Sequence, residues 1–180
     1  RVFIFLPRIP ELYASFLGIV KTGAIAATLF AAFGPEALSD RLADSGTKFV
    51  ITTSQLKSRV EEIFDDLKDL QKVLVVSDSE DCELTDYEID FKKLIADESE
   101  EFDTVMMDPK DSCFMLYTSG TTGKPKGVVH HHYAILHEHL TAKWVLDVHD
   151  SDVYWCTADP GWVTGIAYGI LGIWSAGATS

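Results

Sequence analysis

The chain has 180 residues, 47% of them hydrophobic, and a formal net charge of −13. That length and apolar share suit one domain, or part of a larger one, with a substantial core. The acidic balance argues against a nucleic-acid surface, which needs a basic face. Cys82, Cys113 and Cys156 are odd in number and widely spaced, which argues against a disulfide framework or a zinc cage.

The cysteine usage fits a reducing, cytoplasmic compartment. The chain opens on Arg1-Val-Phe-Ile-Phe-Leu-Pro7 without an initiator Met or a signal-peptide layout, so it is expected to begin inside a longer protein. Val2 to Leu6 is an apolar run ended by Pro7 and reads as a buried parallel strand. Pro10 starts a helix with Glu11 in its first turn, an apolar face at Leu12, Phe16, Ile19 and Val20, and an end at Gly23. Ala24 to Phe30 reads as the next strand, and Pro35 opens a helix running through Leu42 to Gly46. Lys48 to Thr52 is a third strand. Ser54 is expected to cap a helix with a stripe at Leu56, Val60, Ile63 and Leu67. Lys72 to Val76 is a fourth strand. Strands alternating with helices predict an α/β fold: a doubly wound, mostly parallel sheet with helices on both faces.

Residues 78–110 are polar and acidic and read as a surface excursion, with one amphipathic segment around Phe91, Leu94 and Ile95. From Asp111 the sequence turns apolar again. Ser112 to Tyr117 reads as a buried strand, Gly127 to His130 as a strand, and His132 to Leu146 as a helix. Val153 to Cys156 reads as a strand, Ala158 to Gly161 as a turn, and Val163 to Ala176 as a glycine-rich helix. Pro160 to Ser180 carries no charge and is long enough to span a bilayer. Its glycines, Thr164, Ser175 and Thr179 dilute the hydropathy, and no basic flank follows, so close helix–sheet packing in a soluble domain is the expected reason for Gly161, Gly165 and Gly169.

The stretch from Tyr117 to Gly127, Tyr-Thr-Ser-Gly-Thr-Thr-Gly-Lys-Pro-Lys-Gly, carries the chemistry. Its glycines let backbone N–H groups approach an anion closely, and successive N–H groups of such a turn form an anion-binding concavity. Thr118, Ser119, Thr121 and Thr122 add hydroxyl donors, and Lys124 and Lys126 add point charges suited to phosphate. A Walker A loop would need glycine at Pro125 and Ser or Thr at Gly127, so that pattern fails. His130, His131, His132, His137 and His139 cluster in sequence, yet His137-Glu138 lacks the second zincin histidine because Thr141 stands there, so no metal site is expected.

The loop resembles the signature loop of the adenylate-forming superfamily: acyl-CoA synthetases, luciferases and peptide-synthetase adenylation domains. In that family the loop holds the β- and γ-phosphates of ATP. The resemblance implies phosphate contacts from Thr118, Ser119, Gly120, Thr121, Thr122, Gly123 and Lys126, with Lys126 catalytic and Lys124 a solvated neighbour. A second stretch, Thr157-Ala-Asp-Pro-Gly-Trp-Val-Thr-Gly165, resembles the corresponding segment of AMP-forming acetyl-CoA synthetases. It implies that Trp162 and Val163 shape a small acyl pocket, and that Thr164 is catalytic where the acyl group and the CoA thiol meet. It also implies that Gly165 lets pantetheine pass. Upstream, Phe30-Ala-Ala-Phe33 with Pro35-Glu-Ala and Arg41 resembles the family segment at the CoA nucleotide. Ala31 and Ala32 replace the glycines many relatives carry there, and Arg59 is the nearest candidate for the CoA phosphate.

The resemblance therefore implies part of a large N-terminal adenylation domain. Residues 1–77 would form its first βα repeats, and residues 111–180 its phosphate loop and the start of its acyl and CoA site. It implies a ligase that activates acetate or a similar short carboxylate with ATP, Mg²⁺ and coenzyme A, with no nucleic-acid or membrane partner. The adenine pocket, the metal-binding glutamate and the lid lysine lie later in the family, so the 180-residue chain alone is expected to be inactive. Another adenylating enzyme, or a noncatalytic nucleotide-binding module, remains open at this point, as do acyl chain length and oligomeric state.

Overall fold

The first strand sets the two-layer logic of the domain. Phe3 and Phe5 point to one face of the sheet and Ile4 to the other, as the two-residue period of a strand requires. The computed structural model describes residues 1–79, 81–120 and 123–180. In it, β1 (Val2–Phe5), β2 (Ala26–Thr28), β3 (Phe49–Thr53), β4 (Lys72–Val76), β5 (Glu88–Asp90), β6 (Ser112–Thr118) and β7 (Lys126–His131) form one seven-stranded sheet. The order is β5-β4-β3-β1-β2-β6-β7. All neighbours are parallel except the β6–β7 pair. The mostly parallel α/β sheet expected from the sequence is therefore the fold observed.

Helix α1 (Pro10–Lys21) buries Leu12, Phe16 and Ile19 on the face that also carries Ile4, Ile51, Phe114 and Leu116. Helix α2 (Pro35–Ser45) buries Leu38 and Leu42 on the opposite face, with Phe3, Phe5, Val50, Val73 and Met115. The two helices begin at Pro10 and Pro35, where a missing N–H costs nothing and φ is already helical. Helix α2 stops at Gly46, which takes the left-handed conformation and caps the carbonyls of Ala43 and Leu42. Because α1 and α2 leave β1 and β2 for opposite faces, the carboxyl ends of these two adjacent strands flank a topological switch point, where such sheets bind ligands.

Three elements differ from their sequence expectation. The long helix from Ser54 is only α3 (Ser58–Glu61), followed by a 3₁₀ turn at Phe64–Asp66. Ser54 caps nothing there; its N–H donates to Val76, and Thr53 accepts the amides of Leu56 and Lys57. Short turns still bury Val60, Ile63 and Leu67, so apolar spacing alone did not require a continuous helix. Val153–Cys156 makes one bridge, Val153 to Thr179, instead of a strand, because no ladder partner lies alongside. In the acidic region, Glu88–Asp90 joins the sheet as edge strand β5 and Phe91–Ala96 forms α4, capped by Asp90. Glu88 explains why a carboxylate can enter that edge. Its side chain is fully buried but pairs with Lys57 at 2.9 Å and accepts the amide of Thr85. Burial alone would lower the Lys57 pKa; hydrogen bonds to Glu61 and Glu88 outweigh it and hold the ammonium charged above its usual range.

The remaining helices lie after the sheet. Helix α5 (Ala134–Trp144) packs on a run of α6 (Val163–Ile166), a π-helical segment (Ala167–Leu171) and α7 (Gly172–Ser175). Among the described residues no helix is long and apolar enough to cross a membrane. An apolar groove of about 830 Å³ runs between α1 and α4, lined by Ile51, Leu74, Ile89 and Phe102 among others. None of its lining residues belongs to the phosphate loop or to Thr157–Gly165.

Candidate active site

The glycine-rich loop is the connection of the β6–β7 hairpin. Thr118 stands opposite Lys126 in the antiparallel register, so the loop is anchored on both sides by ladder hydrogen bonds. Two described glycines in it, Gly120 and Gly123, have φ of 60° and 89°. At Gly120 a Cβ would sit 2.4 Å from the carbonyl oxygen of Lys124, so only glycine lets the loop close on itself there. The same position is lined by the Lys126 stem, whose Cγ lies 3.5 Å from it. Lys126 therefore runs across the loop, while Lys124 contributes its backbone to closing it. Thr118, Ser119, Gly123 and Lys126 are exposed. Donors and charge are thus open to a polyphosphate at the carboxyl end of β6. Thr121 and Thr122, also assigned to phosphate, lie outside the described residues.

Tyr117, the last buried-side residue before the loop, ties the hairpin to α2. Its hydroxyl donates to the Asp44 carboxylate at 2.7 Å and to the carbonyl of Arg41 at 3.1 Å. Burial and the Asp44 carboxylate push the phenol well above its ordinary pKa, so it stays a neutral donor. His130 lies flat on Phe114, with ring centroids 4.5 Å apart. That burial lowers its pKa below the usual histidine range, which favours a neutral packing ring over a cation aimed at phosphate. Among the described residues no group of three or more His, Cys, Asp or Glu could hold a metal ion.

The second segment lies across the switch point. Arg8, just beyond β1, donates to the carbonyls of Cys156 and Thr157. Thr28, the last residue of β2, donates its hydroxyl to the carbonyl of Pro160. Gly161 then packs so closely on Phe30 that a Cβ would lie 2.6 Å from the Phe30 nitrogen. Asp159 folds the turn, accepting the Gly161 amide at 2.7 Å on its carboxylate and the Trp162 amide at 2.9 Å on its carbonyl. The turn delivers Trp162, Val163 and Thr164 exposed at the start of α6, with the Trp162 ring 6.4 Å from Phe30. Since β2 and β6 are parallel neighbours, this segment, docked on the carboxyl end of β2, lies at the same end of the sheet as the loop that follows β6.

Three sequence assignments take a different physical form here. Gly165 is buried, and the space its missing Cβ would fill belongs to the Asp159 carbonyl at 2.1 Å; glycine is required by the chain's own backbone. Gly161, Gly165 and Gly169 pack on Phe30, Asp159 and Cys156 and not on a sheet face. Arg59 donates to the carbonyls of Ala31 and Phe33 at 2.9 and 3.0 Å, so it buttresses that segment. Arg41 instead lies over the Phe33 ring at 4.3 Å, with its buried Nε unpartnered. Arg8 and Thr28 were missed by sequence reasoning.

The family profile described as AMP-binding enzyme matches residues 1–180. The chain is 49% identical over 180 residues to an acetyl-coenzyme A synthetase of Bacillus subtilis, covering all of this chain and 31% of that protein. It is 41% identical over 193 aligned residues to an acetyl-coenzyme A synthetase of Methanothrix thermoacetophila, covering all of this chain and 29% of that one. The crystal structure of an acyl-CoA synthetase from Brucella canis superposes with a TM-score of 0.91 at 34% identity, over 99% of this chain and 32% of that chain. The chain thus spans about a third of the length of these relatives, and it belongs to the AMP-binding enzyme family.

Proposed function

We propose that this chain supplies the polyphosphate loop and one wall of the acyl site of an AMP-forming acetyl-CoA synthetase. The observation that carries the reading is the placement of the two segments. A hairpin loop open to anions follows β6, and a turn presenting Trp162, Val163 and Thr164 docks on the carboxyl end of the neighbouring parallel strand β2. The names of the relatives support acetate, ATP and CoA as substrates.

The reaction has two steps. A carboxylate oxygen attacks the α-phosphorus of ATP, forming acyl-AMP and releasing pyrophosphate. The CoA thiol then attacks the acyl carbon, the acyl C–O bond breaks, the thiol proton is lost to solvent and AMP leaves. In the first step the loop amides, the Thr118 and Ser119 hydroxyls and the Lys126 ammonium stabilise charge that builds on the leaving pyrophosphate. Trp162 and Val163 bound the acyl chain, and Thr164 stands beside the carbon that changes partners. Magnesium accompanies ATP, with its protein ligands outside this chain. Turnover belongs to the longer protein, in a cytoplasmic setting consistent with three free cysteines.

A panel of acids tests the substrate. The full-length protein is expected to exchange pyrophosphate into ATP with acetate or propionate and only weakly with octanoate or amino acids, because Trp162 and Val163 would bound a pocket for a short acyl chain. Exchange supported by long acids or amino acids, but not by acetate or propionate, contradicts it.

A further inference from the structure

Residues 154–162 form no helix or ladder, yet they must deliver Trp162, Val163 and Thr164 to one place. The anchor lies at the far end of the sequence. Arg8 sits between Pro7 and Pro10, which fix φ and hold Ile9 extended at φ −121° and ψ 159°. The Ile9 amide donates to the Pro7 carbonyl at 2.8 Å, closing a tight turn around Arg8 just beyond β1. From there Nη1 donates to the Cys156 carbonyl at 3.1 Å and Nη2 donates to the next carbonyl, that of Thr157. A guanidinium fork matches two adjacent acceptors in a way a lysine cannot. The link continues: the Cys156 thiol points at the carbonyls of Ala158 and Thr164, each 3.9 Å away. Cys156 also fills the gap over Gly169, where a Cβ would lie 3.4 Å from its sulfur. Arg8, Cys156 and Thr164 thus form one connected path from the end of β1 to the first turn of α6.

We propose that Arg8 is a positioning residue for the acyl wall: it sets Trp162–Thr164 through Cys156 and Thr157, and so governs use of the carboxylate while leaving the polyphosphate loop alone. The inference rests on the proposed function. The loop is held independently, by the β6–β7 ladder and by Tyr117 on α2, so the two halves of the site respond separately to substitution.

The test compares wild type, Arg8→Ala and Arg8→Lys in the full-length protein by acetate-dependent pyrophosphate exchange, with amide hydrogen exchange read in parallel. Arg8→Ala is expected to raise KM for acetate about tenfold or more, since a small misplacement of a reacting group is costly, while KM for ATP stays within about twofold. Arg8→Lys, which reaches one carbonyl, falls between. Amides of residues 154–165 exchange faster in Arg8→Ala, and those of Phe114 to Tyr117 do not. Should Arg8→Ala fail to fold, Arg8→Lys carries the test, in the same direction and smaller. Unchanged KM for acetate, or equal rises for acetate and ATP, overturns the inference. If wild type shows no exchange with any acid but residues 154–165 still loosen in the variant, the positioning role stands and the acetyl-CoA synthetase reading falls.

Discussion

Lys126→Ala in the full-length protein is expected to lower the adenylation rate by about 10²-fold or more, with a much smaller effect on the KM for ATP. The argument is positional. Lys126 is the first residue of β7, stands opposite Thr118, and its stem lies beside Gly120. On the proposed function, an ammonium at this place meets the charge that builds on the departing pyrophosphate, so it should stabilise the transition state more than bound ATP. Lys124 serves as the internal control. Its carbonyl closes the loop under Gly120, which alanine also does, and its side chain is exposed. Lys124→Ala is therefore expected to lower the rate less than about tenfold, as a solvated neighbour would. Single-turnover formation of acyl-AMP measures both, and equal small losses at the two lysines would remove the assignment.

Gly165→Ala is the second large effect. The added methyl would lie 2.1 Å from the Asp159 carbonyl oxygen and 2.7 Å from the Pro160 Cα, backbone atoms that cannot turn aside. Either α6 or the Asp159 turn must move, and both carry the wall formed by Trp162, Val163 and Thr164. Overpacking of this kind costs about 1–3 kcal/mol, so thermal unfolding should shift down and carboxylate use should fall together. Gly34→Ala is the comparison. At φ −82° a methyl there meets nothing within 4 Å, and the expected change stays within about 1 kcal/mol. Equal stability of Gly165→Ala and wild type would show that the Asp159 turn is looser than this packing requires.

The sequence made most of the scaffold legible wherever two local signals agreed. Helix α2 has Pro35 at its start and a left-handed Gly46 at its end, and its limits were read closely. Strand β4 spans Lys72 to Val76 as expected, because the apolar run Val73-Leu-Val-Val76 lies between polar turns. Elsewhere tertiary packing overrode the local signals, even the Ser54 cap and apolar stripe together. The stripe from Leu56 to Leu67 satisfied a helical period, but short turns bury the same residues. Residues 78–110 read as an acidic surface excursion, and Glu88 within them is buried at the sheet edge because it pairs with Lys57, distant in sequence, and accepts the Thr85 amide.

The site divides in the same way. The phosphate loop was legible because its glycines, hydroxyls and lysines are contiguous between two apolar runs, which the fold turns into a hairpin. The wall at Trp162–Thr164 was legible only as a resemblance. What holds it is non-local: Arg8 reaches across 148 positions to Cys156, and Thr28 across 132 to Pro160. Gly165 illustrates the difference, since a glycine in a motif suggests room for a ligand, whereas here it makes room for the Asp159 carbonyl.

The central claim is that the loop and the wall together serve carboxylate attack on the α-phosphate of ATP. Acetate carrying ¹⁸O in both carboxylate oxygens tests this most directly in the full-length protein with ATP and CoA. Attack at the α-phosphorus followed by cleavage of the acyl C–O bond places one labelled oxygen in the phosphate of AMP and none in pyrophosphate. The account predicts that transfer, at one label per acetyl-CoA formed. Label appearing in inorganic phosphate with release of ADP would contradict it, because the carboxylate would then have attacked the γ-phosphorus instead.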